Sequence, residues 1–208
     1  MPGKIYEKLI AQYPCLAEVP VWEAYETLHD AALAEKKILL CGNGGSASDS
    51  EHIVGELMKG FKLPRKLDQS QIEQFGEFAP MAQRLQKGIQ AISLNSHTAL
   101  MTAVGNDNGY DMVFAQQVYV YGGEGDVLVA MTTSGNSANV VNAAATAKVR
   151  GMKVIGITGA AESKLSRLCD VCLQLPEQET YRIQELTLPV YHALCAMLEE
   201  SLYGSVDG

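Results

Sequence analysis

Short apolar runs recur along this chain, each followed by a turn and then by helical spacing, and this rhythm leaves few folds open. Lys37–Cys41 is such a run. It is closed by Gly42-Asn43-Gly44-Gly45 and followed by a helix from Ser46 to about Lys59, with Ser46, Ser48 or Asp49 available as its cap. Ile89–Leu94 precedes helical Thr98–Val104 and Asp111–Tyr121. Asp126–Met131 leads through Thr132-Thr133-Ser134-Gly135-Asn136-Ser137 into a helix to Arg150. Lys153–Thr158 ends at Gly159, and Val171–Leu175 precedes a long helix over Thr180–Leu202. Strand, turn and helix repeated in this way predict an α/β fold: a doubly wound parallel sheet of five strands with helices on both faces. Two further helices, Ile5–Tyr13 and Trp22–Glu35, stand ahead of the first strand and are expected to pack outside it or against another subunit.

The chain reads as one domain over residues 1–208, with N-terminal helices in 1–36 and a C-terminal helix in 180–203. Lys62–Lys87 breaks the rhythm, being too long for an ordinary connection between helix and strand. It reads as a helical insertion: either a lid at the mouth of a site or a solvated surface excursion. Its Lys62, Arg65 and Lys66 form a small basic cluster able to attract an anion.

A net charge of −8 argues against nonspecific nucleic-acid binding and against an anionic membrane surface. The longest apolar runs fall far short of a membrane span. Five cysteines with no leader pattern ahead of them point to a reducing, cytoplasmic setting. Cys169-Asp170-Val171-Cys172 has CxxC spacing but no second pair. Two half-buried strand residues are a better reading of it than zinc or redox use.

Two turns are built to hold phosphate. Gly42–Ser46 leaves a strand and enters a helix, where glycines allow close backbone approach and the helix start offers free N–H groups. Thr132–Ser137 does the same with four hydroxyls. Behind the first turn, His52 and Glu56 lie four residues apart, and near the C-terminus Gln184 and His192 lie eight apart. Both are helix spacings, so each pair shares a helix face. Two imidazoles, a carboxylate and a carboxamide meeting in space are able to bind a metal or to move protons. Taken singly, His52 reads as well as a surface histidine, and His192 as a satisfied core one. Pro189 lies between Gln184 and His192, where it should free the Glu185 carbonyl and kink the helix, aiming His192 at Glu56. His29 reads as a surface residue, and His97 as either a substrate neighbour or a helix-start residue.

In combination and order, Cys41-Gly42-Asn43-Gly44-Gly45-Ser46, Thr133-Ser134-Gly135-Asn136-Ser137 and Arg182-Ile183-Gln184-Glu185 resemble the sugar isomerase (SIS) domain. Within it they are most similar to the bacterial phosphoheptose isomerases. Val104-Gly105-Asn106-Asp107 and Gly125-Asp126-Val127-Leu128 extend the match. The resemblance implies a Rossmann-like or flavodoxin-like sheet. It also implies aldose–ketose isomerisation of sedoheptulose 7-phosphate to D-glycero-D-manno-heptose 7-phosphate, with Glu56 and His192 moving the protons. It places a zinc site on His52, Glu56, Gln184 and His192. Substrate contacts would fall on Asn43, Gly44, Gly45, Ser46, Glu56, Asn106, Asp107, Thr132, Thr133, Ser134, Ser137 and Gln184. A homotetramer with sites completed between subunits is implied too. Asp107 would bind a sugar hydroxyl or assist the acid–base steps.

Four features depart from the family's pattern: the Lys62–Lys87 segment, Ala47, Ser48 and Thr187. Two rival functions follow from the same resemblance. One is a non-catalytic SIS protein that binds the replication initiator, a branch that does not keep both proton-transfer residues. The other is an isomerase for a different sugar phosphate, such as a hexose or pentose phosphate.

Overall fold

The computed structural model describes residues 1–204, so the last four positions of the domain expected over 1–208 lie outside the described residues. Its strands are β1 (Ile38–Cys41), β2 (Ala91–Ser93), β3 (Val127–Met131), β4 (Lys153–Thr158) and β5 (Val171–Gln174). They form one parallel sheet in the order β2-β1-β3-β4-β5. This is the flavodoxin-like order, in which the ligand crevice opens at the carboxyl ends of β1 and β3, where the direction of winding reverses.

The central strands are apolar along their whole length because both faces are covered. Side chains alternate across the pleat. Ile38, Leu40, Val127, Val129 and Met131 enter one core, with helices α1 (Pro2–Gln12), α2 (Val21–Leu33), α3 (Gly45–Met58) and α9 (Thr180–Tyr203). Leu39, Cys41, Leu128 and Ala130 enter the other, with α6 (Thr98–Asp107), α7 (Val113–Tyr121) and α8 (Ala138–Val149). The two N-terminal helices pack on α9 of their own chain. No described helix is long and apolar enough to cross a membrane.

Element boundaries differ from expectation at a few places. Helix α3 starts at Gly45 with Gly44 at its cap position, so none of Ser46, Ser48 and Asp49 caps it. Gly44 has φ +57°, a left-handed conformation that favours glycine and forces the tight exit from β1. The helix expected from Asp111 begins as a single 3₁₀ turn over Tyr110–Met112. Cys172 lies in β5 as expected, whereas Cys169 falls in the turn before it.

Lys62–Lys87 folds as a closed excursion. Short helices α4 (Gln69–Glu73) and α5 (Ala79–Ala82) fill it, and a capping box at Asp68 starts α4. An antiparallel bridge of Lys66 to Gln86 closes its neck. Arg65 does not belong to a basic surface cluster. It is 2% exposed, and its Nε donates to Glu199 Oε1 at 2.8 Å. Its two remaining nitrogens donate to the carbonyls of Leu57 and Glu56 at 2.6 and 3.0 Å, at the C-terminal end of α3. Glu199, on α9, also accepts the backbone N–H groups of Phe61, Lys62 and Leu63. The excursion is thereby clamped between the last turns of α3 and α9.

Candidate active site

Both predicted phosphate turns meet at the crevice. A cleft of about 310 Å³ is lined by Asn43, Gly44, Gly45, Ser46, Thr132, Thr133, Ser134, Ser137 and Gln184, with Met131 and Thr180 added. The two turns are tied together by a reciprocal amide pair. Asn43 Nδ2 donates to Asn139 Oδ1 at 2.9 Å, and Asn139 Nδ2 donates to Asn43 Oδ1 at 2.8 Å. Asn139 is a buried residue on the first turn of α8 that sequence reading did not single out. Its only signal was its place two residues after Ser137.

The Thr132 and Ser137 hydroxyls are 2.9 Å apart, with Ser134 Oγ at 3.4 Å from Thr132. These hydroxyls stand beside the first turns of α3 and α8, whose N–H groups lack partners within the helix and carry the positive end of its dipole. Such a surface suits a phosphate monoester without a fixed cation. Gln184 closes the cleft from α9. A Cβ at position 45 would lie 2.7 Å from Gln184 Nε2, so a side chain there would displace the Gln184 amide from the cleft.

Helices α3 and α9 pack against each other, and further along them the other three members of the quartet converge. His52 Nε2 is 3.1 Å from Glu56 Oε1 and 3.5 Å from His192 Nε2. Glu56 is 15% exposed, and Lys59 Nζ reaches its other oxygen at 3.6 Å. Burial and the neighbouring His52 push the His192 pKa below its ordinary value, with Glu56 pulling the other way. His192 is therefore neutral near pH 7, ready to accept a proton or donate one.

Behind His52, Nδ1 lies 2.9 Å from the Tyr191 hydroxyl, and that hydroxyl donates to Asp49 Oδ1 at 3.3 Å. Burial raises the Asp49 carboxyl, while the Tyr191 hydrogen bond and His52 lower it; the net direction is up. Burial and Asp49 raise the Tyr191 phenol. Helix α9 runs unbroken through Pro189.

The zinc expectation is tested by this donor set. Tetrahedral zinc with ligand bonds of 2.0–2.2 Å sets neighbouring donor atoms about 3.3–3.5 Å apart. The two contacts of His52 Nε2 fall at or near that length, and two imidazoles with a carboxylate are the right donor types. The set is not closed, however. Among the described residues no three His, Cys, Asp or Glu side chains form a metal-binding group, and no hydrogen bond joins Gln184 to the other three.

Other predicted residues stand apart. Asn106 and Asp107 are exposed at the end of α6, where Asn106 Nδ2 donates to Asp107 Oδ1 at 2.8 Å, and they do not line the cleft of this chain. No residue of Lys62–Lys87 lines the phosphate cleft. Lys62 instead borders a groove beside His192 with Phe61 and Pro189. His97 takes the helix-start role at α6. His29 is half-buried, with its ring 5.6 Å from that of Tyr25.

Comparison with known proteins bears on the fold and the family. The SIS domain family matches residues 69–159, which span the second phosphate turn. The match starts inside the segment set apart as an insertion. The phosphoheptose isomerase of Aneurinibacillus thermoaerophilus is 38% identical over 167 residues, covering 80% of this chain and 74% of that protein. That of Aliarcobacter butzleri is 35% identical over 208 residues, covering 97% of this chain and 99% of its own. The structure of phosphoheptose isomerase GmhA from Neisseria gonorrhoeae superimposes with a TM-score of 0.73 at 34% identity, covering 96% of this chain and 93% of that one. A phosphoheptose isomerase from Francisella tularensis gives a TM-score of 0.76 at 28% identity, covering 95% and 96%. Full-length similarity to these enzymes, with the two phosphate turns at the switch point of the sheet, establishes that this chain belongs to the phosphoheptose isomerase family of SIS domain proteins.

Proposed function

We propose that the protein is an aldose–ketose isomerase that converts sedoheptulose 7-phosphate to D-glycero-D-manno-heptose 7-phosphate. The observation that carries this reading is the pairing of α3 with α9. It sets Gly45 beside Gln184 at a phosphate cleft and His52 and Glu56 beside His192 further along the same two helices. The seven residues from Gly45 to His52 rise about 10 Å along α3. A sugar whose phosphate and carbonyl lie at opposite ends of the chain suits that separation.

Isomerisation needs a base for the proton beside the carbonyl and an acid for the oxygens. Glu56 takes a proton from C1 while His192 gives one to O2, producing the enediol. Glu56 then returns its proton to C2, and His192 recovers one from O1, leaving an aldehyde at C1. Thr132, Ser134, Ser137 and the helix-start amides hold the phosphate throughout and cost no reorganisation during the reaction. His52, Glu56, Gln184 and His192 are the proposed zinc donors; a bound zinc would polarise the substrate carbonyl. A homotetramer with sites between subunits accompanies this reading, supported by exposed apolar residues such as Tyr119 and Val120 on α7. So does a cytoplasmic location, supported by free cysteines and the absence of disulfides among the described residues.

The test is an NMR assay in D₂O with sedoheptulose 7-phosphate and a panel of pentose and hexose ketose phosphates, run with zinc and with chelator. Heptose phosphate carrying deuterium at C2 is the expected product. Turnover only of a shorter ketose would change the substrate and keep the chemistry. Inactivity on the whole panel would overturn the enzyme reading in favour of a regulator.

A further inference from the structure

The wiring behind His52 rests on the same reading of that end of the site, and it fixes where the imidazole carries its hydrogen. Tyr191 has one hydroxyl proton. The hydroxyl donates to Asp49 Oδ1 at 3.3 Å and lies 2.9 Å from His52 Nδ1. An ionised carboxylate accepts hydrogen bonds and donates none, so the Tyr191 proton is committed to Asp49. The contact with His52 is then a hydrogen bond only if Nδ1 carries the hydrogen and the tyrosine oxygen accepts it. A neutral imidazole protonated at Nδ1 has its lone pair on Nε2, the atom that faces Glu56 Oε1 and His192 Nε2. The ring is also held in direction, packed edge-on to Tyr191 at 5.4 Å and 72°.

We propose that Asp49 and Tyr191 are positioning residues that lock His52 as its Nδ1–H tautomer and present the Nε2 lone pair to the site. One consequence is chemical. With the hydrogen on Nδ1, the Nε2 lone pair of His52 faces Glu56 Oε1 across 3.1 Å. That point calls for an electron-pair acceptor, and a borderline divalent cation such as zinc meets the demand. The relay is assembled from residues 49, 52 and 191, so it links α3 to α9 at the level of the reacting groups. It plays the part that outer hydrogen bonds play for a metal-binding histidine, fixing tautomer and orientation.

Two readouts test the proposal on the full chain. Long-range ¹H–¹⁵N NMR of the metal-free protein at neutral pH reports the His52 tautomer, and competition with a chromophoric chelator reports zinc affinity. The expected wild-type result is His52 with Nδ1–H. Tyr191→Phe keeps the ring and removes the acceptor. It should give a mixture of tautomers and weaken zinc about 10- to 100-fold. Asp49→Ala should act in the same direction. Circular dichroism and urea midpoints confirm that each variant is folded. A wild-type His52 protonated at Nε2, or Tyr191→Phe within twofold of wild type with an unchanged tautomer, would overturn the proposal. If the wild type binds no zinc, the zinc reading fails by itself and the tautomer decides the positioning role.

Discussion

Glu56 and His192 divide the proposed reaction between one carboxylate and one imidazole, each reaching His52 from a different helix. Glu56→Gln keeps shape and hydrogen bonding but cannot take the C1 proton. His192→Gln keeps a polar group and cannot shuttle between the oxygens. Each should lower kcat by roughly 10²- to 10⁴-fold with an unchanged urea midpoint. Substantial residual turnover in either folded variant would sink the mechanism. Helix spacing put these two residues on faces shared with His52 and Gln184, while their roles came from the resemblance alone. Asn139 and Tyr191 were not legible. Asn139 looks like any polar residue in a helix, and its partner Asn43 is 96 positions away. Tyr191 sits in an apolar stretch and reads as core. Only the packing of α9 on α3 brings its hydroxyl to His52.

Among the elements, the C-terminal ends of α3 and α9 are joined by Arg65 and Glu199. The sequence hid this because the two lie 134 positions apart and Arg65 stands beside Lys66 in a segment that reads as surface. A buried pair is weak evidence of net stability, yet removing one partner leaves the other charge uncompensated. Glu199→Ala should therefore cost about 3–5 kcal/mol in urea denaturation, while an apolar replacement of both residues should cost less. A loss below about 1 kcal/mol in the single variant would contradict the burial of the pair.

Acid should show the same device. Burial raises the Glu199 carboxyl, but the amides of Phe61 and Lys62 and the Arg65 guanidinium outweigh it, and the net pKa lies below the ordinary 4.5. The unfolded chain then binds the proton more readily than the folded one. Stability from this group is complete above pH 4.5 and drains as pH falls through the folded value. Denaturation across that window should show a larger loss in wild type than in the double apolar variant, where Asp170 and Glu200, also lowered, remain.

For the whole molecule, the strand count, the parallel sheet and the two strand-to-helix turns were readable from alternation of apolar runs with glycine- and hydroxyl-rich turns. β4 even keeps its predicted bounds, Lys153–Thr158. The order of the strands was not readable from those runs, since it depends on which neighbour each helix crosses. That order is what brings Gly42–Ser46 and Thr132–Ser137 to one crevice. Tyr119 and Val120 are 60% and 66% exposed on α7, and in the proposed tetramer a further copy of the chain would cover them. Sedimentation should give a tetramer for wild type, and Tyr119→Glu with Val120→Glu should give smaller species with lost activity. A monomeric, fully active wild type would overturn the assembly.

The companionship of α3 and α9 has a further consequence. In the proposed reaction each helix contributes both to the anchoring end and to the reacting end, so together they would act as a ruler graduated in helical turns. Lengthening one of them alone would put the two scales out of step. Adaptation to a longer or shorter sugar is then easiest in the loops at either end, with the ruler left untouched.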